Sequence, residues 1–174
     1  MANLAEAAQE FLSHQRIAVV GVSRDGKQPA NFNLRKLRAA GREVFAVNPA
    51  TAQVEGGVCY PHLRKIPGGV DAVLIFTPPA ATPSVVRECA FLGIRYVWIH
   101  RSVGVGSWSP EAEVIAREHA LVLIPGGCPA MFCAPVDPGH RCLRWVLDLF
   151  GKLPREIQNP GSQGDAATPL GLGT

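Results

Sequence analysis

The stretch Ile17-Ala-Val-Val-Gly-Val-Ser23 decides the fold of this 174-residue chain. Its opening run of four apolar residues suits a strand that is buried on both faces. The glycine after the run allows a tight turn, and the next segment, Arg24-Asp-Gly-Lys27, is basic and rich in turn residues. If a helix follows, its free backbone N–H groups and its dipole form a site for an anion. We therefore interpret this stretch as the first phosphate-binding turn of a doubly wound fold.

Further apolar runs follow the first one, and helical patterns separate several of them. Strands are predicted at residues 17–20, 44–47, 72–76, 96–99 and 121–124. Helices are predicted between them at residues 29–40, 83–92 and 110–119. Such alternation implies a parallel sheet with right-handed crossovers and helices on both faces. The expected fold class is therefore α/β, a three-layer Rossmann-like doubly wound parallel sheet of about five strands.

The two ends of the chain and one internal segment lack this strand pattern. Residues 1–15 predict a leading helix, and residues 138–150 predict a terminal helix that Asp137 caps. Residues 51–69 are interrupted by glycine and proline and are expected to be irregular, with a short helix as an option. Residues 154–174 have almost no periodicity and predict a disordered tail. We expect a single domain over residues 1–153, which suits a chain of this length.

The overall charge and hydrophobicity exclude some classes of partner. Seventeen Lys and Arg against fourteen Asp and Glu leave a net charge of +3, which is too small to indicate a nucleic-acid surface. No apolar run approaches the roughly 20 residues that a membrane-spanning helix needs. Residues 1–16 have neither a basic start nor a continuous apolar stretch, so they do not resemble a signal peptide. We expect a cytoplasmic protein that binds neither nucleic acid nor a membrane.

Polar, glycine and proline residues follow four of the predicted strands. In a parallel sheet these positions share one edge, and ligands bind beyond that edge where the strand order reverses. Pro78 and Pro79 would form a rigid apolar wall there, Arg101 could meet a phosphate, and His100 could donate a proton. The candidate binding residues are Gly21, Val22, Ser23, Arg24, Asn48, Pro49, Thr77, Pro78, Pro79 and Arg101.

The first turn and the second strand both depart from the pattern of an NAD site. The turn lacks the second and third glycines of GxGxxG, and the second strand ends at Asn48 rather than at Asp or Glu. An uncharged strand end tolerates a nucleotide with an additional phosphate, and several cations lie nearby in the sequence. These cations are Arg24, Lys27, Arg35, Lys36 and Arg42. NADP and coenzyme A (CoA) both fit this electrostatic description.

Four motifs together resemble the Rossmann-like CoA-binding domain family, which is related to the amino-terminal domain of the succinyl-CoA synthetase α subunit. They are Ile17-Ala-Val-Val-Gly-Val-Ser-Arg24, Gly41 with Val44-Phe-Ala-Val-Asn-Pro49, Phe76-Thr-Pro-Pro79, and Cys128-Pro129. The resemblance covers roughly residues 17–130. It implies that CoA binds with Gly21 to Arg24 near the phosphates, Asn48 and Pro49 near the adenosine end, and Thr77 to Pro79 along the groove. It implies little about catalysis.

We therefore expect non-catalytic binding of CoA or an acyl-CoA at the carboxyl edge of the sheet. The alternatives are an NADP-dependent oxidoreductase, a cysteine-dependent acyl-transfer enzyme, and a regulatory module that senses CoA or a nucleotide. A homodimer or an unknown protein partner also remains open. The terminal helix carries an apolar stripe that is interpreted as core or as a subunit contact. It consists of Cys142, Trp145, Val146, Leu149 and Phe150.

Five cysteines form an odd set with no CxxC pair, which argues against disulfides and against a structural zinc site. They are Cys59, Cys89, Cys128, Cys133 and Cys142. Metal binding by Cys128, Cys133, His140 and Cys142 is an alternative, but the spacing of these residues does not match the usual zinc-site patterns. Cys128 could alternatively attack a substrate with His140 as its base, or form a mixed disulfide with CoA. The favoured interpretation is a buried cysteine before a rigid proline turn, with no catalytic residue and no metal ligand assigned.

Overall fold

The structure is a computed structural model that describes residues 3–101, 104–151, 153, 154 and 157. Within these residues the strands are β1 (Arg16–Val20), β2 (Glu43–Val47), β3 (Gln53–Val54), β4 (Gly57–Tyr60), β5 (Ala72–Ile75), β6 (Tyr96–Ile99) and β7 (Val122–Ile124). The α-helices are α1 (Leu4–Ser13), α2 (Pro29–Ala39), α3 (Thr82–Phe91), α4 (Pro110–Glu118) and α5 (Pro138–Leu149). Single 3-10 turns lie at Leu63–Lys65 and Pro129–Met131.

The described strands form one sheet in the order β3-β4-β2-β1-β5-β6-β7. Every pairing is parallel except that between β3 and β4. The chain moves from β1 towards β2 on one side and from β5 towards β7 on the other, so the strand order reverses between β1 and β5. This arrangement confirms the predicted doubly wound α/β class. In such sheets a ligand is expected beyond the carboxyl ends of the two strands between which the order reverses, here β1 and β5.

The predicted number of about five strands is wrong, because the described sheet has seven. The two additional strands, β3 and β4, form a hairpin inside the segment that was expected to be irregular. β3 has two residues and β4 has four, and only Val54 and Cys59 are buried in them, so both strands are too short to give the long apolar run of a buried strand. Glu55 and Gly56 form the turn with φ angles of 53° and 72°. Asn or Asp normally occupies the first of these positions, so glutamate hides the hairpin signal.

Helices cover both faces of the sheet, which therefore has a core on each side. The first core joins α1, α2 and α5 to the sheet, with Phe11, Leu34 and Trp98 among its fully buried side chains. The second core joins α3 and α4 to the opposite face through residues such as Val86 and Ile115. Among the described helices, none is both long and apolar enough to cross a bilayer.

The terminal helix α5 begins as predicted but packs differently from the prediction. Asp137 caps it by accepting a hydrogen bond from the backbone N–H of His140. Its buried residue is Leu147, whereas Trp145 and Leu149 are each 66% exposed and Phe150 is 69% exposed. The interpretation of the apolar stripe as core is therefore wrong.

Most of the segment predicted to be a tail, residues 154–174, lies outside the described residues. Within that segment the structure describes Pro154 and Ile157, and Ile157 is 1% exposed in the first core.

Candidate functional site

The loop after β1 lies directly against the end of β5. Gly21 has a φ of +92°, and a Cβ atom placed on it would lie 2.8 Å from the carbonyl carbon of Phe76 and 3.0 Å from the nitrogen of Thr77. Only glycine combines this φ with such a close approach of two backbones. Gly21 therefore brings the two predicted walls of the crevice together.

The side chain of Asn31, on the first turn of α2, forms hydrogen bonds that fix the loop after β1. Asn31 is 1% exposed. The Oδ1 atom accepts a hydrogen bond from the N–H of Ser23 at 2.9 Å, and Nδ2 donates to the carbonyl of Ser23 at 2.7 Å. This pair of bonds fixes the middle of the loop to the helix that follows it.

A carboxylate from the β3–β4 hairpin strengthens this arrangement. The Oε1 atom of Glu55 accepts hydrogen bonds from Asn31 at 2.9 Å and from Arg35 at 2.5 Å. Arg35 also donates to the carbonyl of Gly26 at 3.0 Å. The loop is thus braced at Ser23 and at Gly26 before any ligand arrives, and such preorganisation lowers the entropic cost of binding.

Several backbone donors of this loop have no acceptor among the described residues. The N–H of Gly21 bonds to Val47, that of Ser23 to Asn31, and that of Asp25 to the Ser23 hydroxyl. The N–H groups without an acceptor among the described residues are those of Val22, Arg24, Gly26, Ala30 and Asn31. They lie along the loop and the first turn of α2, where a helix presents free donors and a positive dipole to an anion.

Two of the five predicted cations remain available for a ligand. Arg35 pairs with Glu55, the Lys36 ammonium lies 3.6 Å from Asp137, and Arg42 approaches Gln15 at 3.5 Å. Arg24 and Lys27 are exposed and form no side-chain hydrogen bond or ion pair with any residue that the structure describes. The available positive charge is therefore concentrated on the loop itself.

Asn48 acts as a clamp between the ends of β1 and β2. Its Nδ2 atom donates to the carbonyl of Val22 at 2.6 Å, and its Oδ1 atom accepts from the N–H of Ala50 at 2.7 Å. Val22 itself is 1% exposed, so its side chain is closed to a ligand. Pro49 is exposed beside this clamp. The expected contacts of Asn48 and Pro49 with adenosine stay a prediction.

The opposite wall of the crevice is formed by the residues after β5. The hydroxyls of Thr77 and Thr82 lie 3.0 Å apart, and Thr82 donates to the carbonyl of Ser107 at 2.8 Å. This buried chain of polar atoms holds the loop, while Pro78 is exposed and Pro79 is partly buried. The prolines are thus placed on a fixed support, as a rigid wall requires.

His100 and Arg101 follow β6 but face different surroundings. The imidazole of His100 stacks on Phe76 with ring centroids 4.4 Å apart, and burial lowers its pKa to about 4. It is therefore neutral at neutral pH and adds no positive charge to the crevice. Arg101 is exposed, donates to the carbonyl of Gly104, and lies over the ring of Trp108 at 5.4 Å. Its expected contact with a phosphate stays a prediction.

The cysteine and histidine side chains that suggested a nucleophile are not hydrogen-bonded to each other. Cys128 is 4% exposed and contacts the amide of Asn33 at 3.6 Å, and its burial raises the thiol pKa. The Nδ1 atom of His140 lies 2.7 Å from the carboxylate of Asp137, and the imidazole ring stacks on Phe32. Within the described part of the chain, no three His, Cys, Asp or Glu side chains form a group that could hold a metal ion.

Sequence reasoning missed Asn31 and Glu55, although both organise the loop. Asn31 lies within a predicted helix, although asparagine is a weak helix former. An asparagine in such a place often forms side-chain hydrogen bonds to nearby backbone groups. Glu55 belongs to the hairpin that the sequence did not reveal. Its contact with Asn31 spans 24 residues, so no local pattern could indicate it.

Comparison with known proteins places the chain in a family of CoA-binding domains and finds acetate–CoA ligases among its relatives. The sequence model of the family described as "CoA binding domain" matches residues 15–134. The chain is 37% identical over 121 residues to acetate–CoA ligase [ADP-forming] I of Archaeoglobus fulgidus, a match that covers 66% of this chain and 18% of the ligase. It is also 30% identical to the uncharacterized protein YneT of Bacillus subtilis, over 71% of this chain and 89% of YneT.

A solved structure has the same fold over most of its length. A hypothetical protein from Pyrococcus horikoshii superposes with a TM-score of 0.67 at 28% sequence identity, covering 74% of this chain and 92% of that protein. The chain spans between 16% and 27% of the length of the first three curated ligases that it matches.

Proposed function

The chain belongs to the CoA-binding domain family, and on this basis we propose that it binds CoA or an acyl-CoA non-covalently in the crevice between the loops after β1 and β5. One observation carries the proposal. The loop after β1 is braced by Asn31, and it combines N–H groups that lack an acceptor in the described chain with two available cations, Arg24 and Lys27. Such a loop suits a diphosphate, which needs several donors and positive charge at one place.

The proposed orientation of the ligand follows the order of the strands. The diphosphate lies at Gly21, Val22, Ser23 and Arg24, and the adenosine lies towards Asn48 and Pro49 at the end of β2. The pantetheine arm runs along Thr77, Pro78 and Pro79. The apolar rings of the two prolines suit contact with the pantetheine chain. Arg101 then lies on the β6 side of the crevice. The name of the Archaeoglobus ligase supports CoA as the ligand.

We propose binding without catalysis because the cysteine that could act as nucleophile is unsuited to attack. A thiol with a raised pKa carries little thiolate at neutral pH, and Cys128 contacts an amide instead of a base. The first turn also lacks the glycine pattern of an NADP reductase. Reduced thiols and a CoA ligand are consistent with a cytoplasmic protein, which is part of the same proposal.

Calorimetric titration tests the proposal with CoA, acetyl-CoA, NAD and NADP at one ionic strength. We expect binding of CoA or acetyl-CoA and not of NAD. Arg24→Ala should weaken CoA binding by about 1–3 kcal/mol, because the guanidinium makes a charged hydrogen bond to a phosphate.

The matched control is Arg117→Ala. Arg117 is exposed in the last turn of α4, which lies before the amino end of β7. The proposed site lies at the carboxyl ends of the strands, so CoA affinity should stay unchanged. Selective binding of NADP would contradict the proposal and favour the reductase alternative. An equal loss of affinity in both variants would show a non-specific charge effect instead of a contact at Arg24.

A further inference from the structure

Helix α5 presents a narrow apolar stripe to the outside of the protein. We define the α5 stripe as Cys142, Trp145 and Leu149, which are all exposed. Leu147 lies on the other side of the helix, is 4% exposed, and anchors α5 to the first core. Three neighbouring apolar side chains exposed on one side of a helix are unusual on a protein surface that contacts only water.

The spacing of the α5 stripe matches the contact positions of a helix pair. Steps of three and four residues, from 142 to 145 and from 145 to 149, place the side chains on one line at the heptad positions a, d and a. Arg141 and Asp148 are seven residues apart and therefore both occupy position g, beside the stripe. Both are exposed, and neither forms an ion pair with another described residue.

We propose that a second copy of this chain packs on the α5 stripe, with the two helices antiparallel and the two-fold axis close to Trp145. In an antiparallel pair, position g of one helix faces position g of the other. Arg141 of each copy then lies beside Asp148 of the other, and two ion pairs form. In a parallel pair, position g faces position e, so Arg141 would face Val146 and stay unpaired. The charge pattern thus selects both the partner and its direction.

The size of the stripe is sufficient for a weak dimer. Trp145 and Leu149 are each 66% exposed, and with Cys142 they offer on the order of 300 Å² of apolar surface per copy. Because roughly 60% of an interface is apolar, two copies would bury on the order of 1,000 Å², which is the lower limit for a specific interface. A hollow of about 500 Å³ includes the stripe residue Trp145 and offers room for side chains of the second copy. It is lined by Met131, Val136, Arg141, Arg144, Trp145 and Asp148.

Sedimentation velocity of the full chain over a concentration series tests the proposal. The wild type should shift from the mass of one chain to that of two as the concentration rises. Trp145→Glu should stay monomeric at every concentration, because a charge would lie on the two-fold axis. Its circular dichroism and CoA affinity should match the wild type, since Trp145 lies outside the crevice. A wild type that stays monomeric at all concentrations, or a Trp145→Glu variant that still dimerises, would overturn the proposal.

Charge reversal tests the antiparallel direction separately. Arg141→Asp and Asp148→Arg should each weaken dimerisation on the order of tenfold, because two ion pairs become two repulsive contacts. An equimolar mixture of the two variants should restore association, since the two carboxylates of one variant then face the two guanidinium groups of the other. A mixture no better than either variant alone would overturn the antiparallel arrangement.

Discussion

Gly21→Ala should lower the free energy of unfolding by about 3 kcal/mol and abolish measurable CoA binding. Alanine at a φ of +92° costs roughly 1–2 kcal/mol. Its Cβ would also lie 2.8 Å from the carbonyl carbon of Phe76, and backbone cannot yield as a flexible side chain does, which adds about 1–3 kcal/mol. Relief of this clash pushes the loop after β1 away from β5 and opens the crevice. Urea denaturation and calorimetry measure the two effects.

Gly41→Ala is the matched control for this substitution. Gly41 ends α2 with a φ of +79°, but a Cβ placed there would meet no atom within 4 Å. We therefore expect a loss of only about 1 kcal/mol and an unchanged CoA affinity. Equal losses of stability in the two variants would mean that the contact between Gly21 and Phe76 is not a tight one.

Asn31→Ala should weaken CoA binding by at least about tenfold and destabilise the protein by about 2–3 kcal/mol. The substitution removes both hydrogen bonds to Ser23 and leaves its N–H and carbonyl without their partners. The loop then has to be ordered when the ligand binds, at about 1–2 kcal/mol for each residue that becomes fixed. Thermal unfolding gives the effect on stability, and calorimetry gives the effect on affinity.

Asn33→Ala separates loss of stability from loss of the loop. Asn33 lies on the same helix and is equally buried, at 1% exposure, but it bonds to the carbonyl of Pro29 and contacts Cys128. Its loss should lower stability to a similar degree and change CoA affinity by less than about threefold. If both variants lost affinity equally, a general weakening of α2 would explain the result, and the bracing by Asn31 would not.

The fold was predictable because buried parallel strands leave continuous apolar runs in the sequence. Four consecutive buried residues in β1 and again in β5 gave clear signals, and glycine and proline marked the ends of the elements. The position of the crevice followed from topology alone, since all parallel strands end at one edge. The candidate residues at 21–24, 48–49 and 77–79 therefore fall at the carboxyl ends of β1, β2 and β5.

The remaining features depend on contacts that a single sequence does not record. The hairpin of β3 and β4 has one buried residue in each strand, and its bracing residue Glu55 reaches Asn31 only in the folded chain. The direction in which α5 packs was also hidden, because the helix carries apolar residues on two sides. Leu147 faces the first core, while Trp145 and Leu149 stay exposed.

Amide NMR locates bound CoA on the protein, and we expect it at the braced loop after β1. In a titration of the isotopically labelled protein with CoA, the largest shift changes should fall on the amides of Val22, Arg24 and Gly26, with the indole of Trp145 unmoved. These amides lie on the braced loop and have no acceptor among the described residues. Saturable binding with the largest changes outside the β1–β5 crevice, or no change at any amide, would contradict CoA binding at the loop after β1.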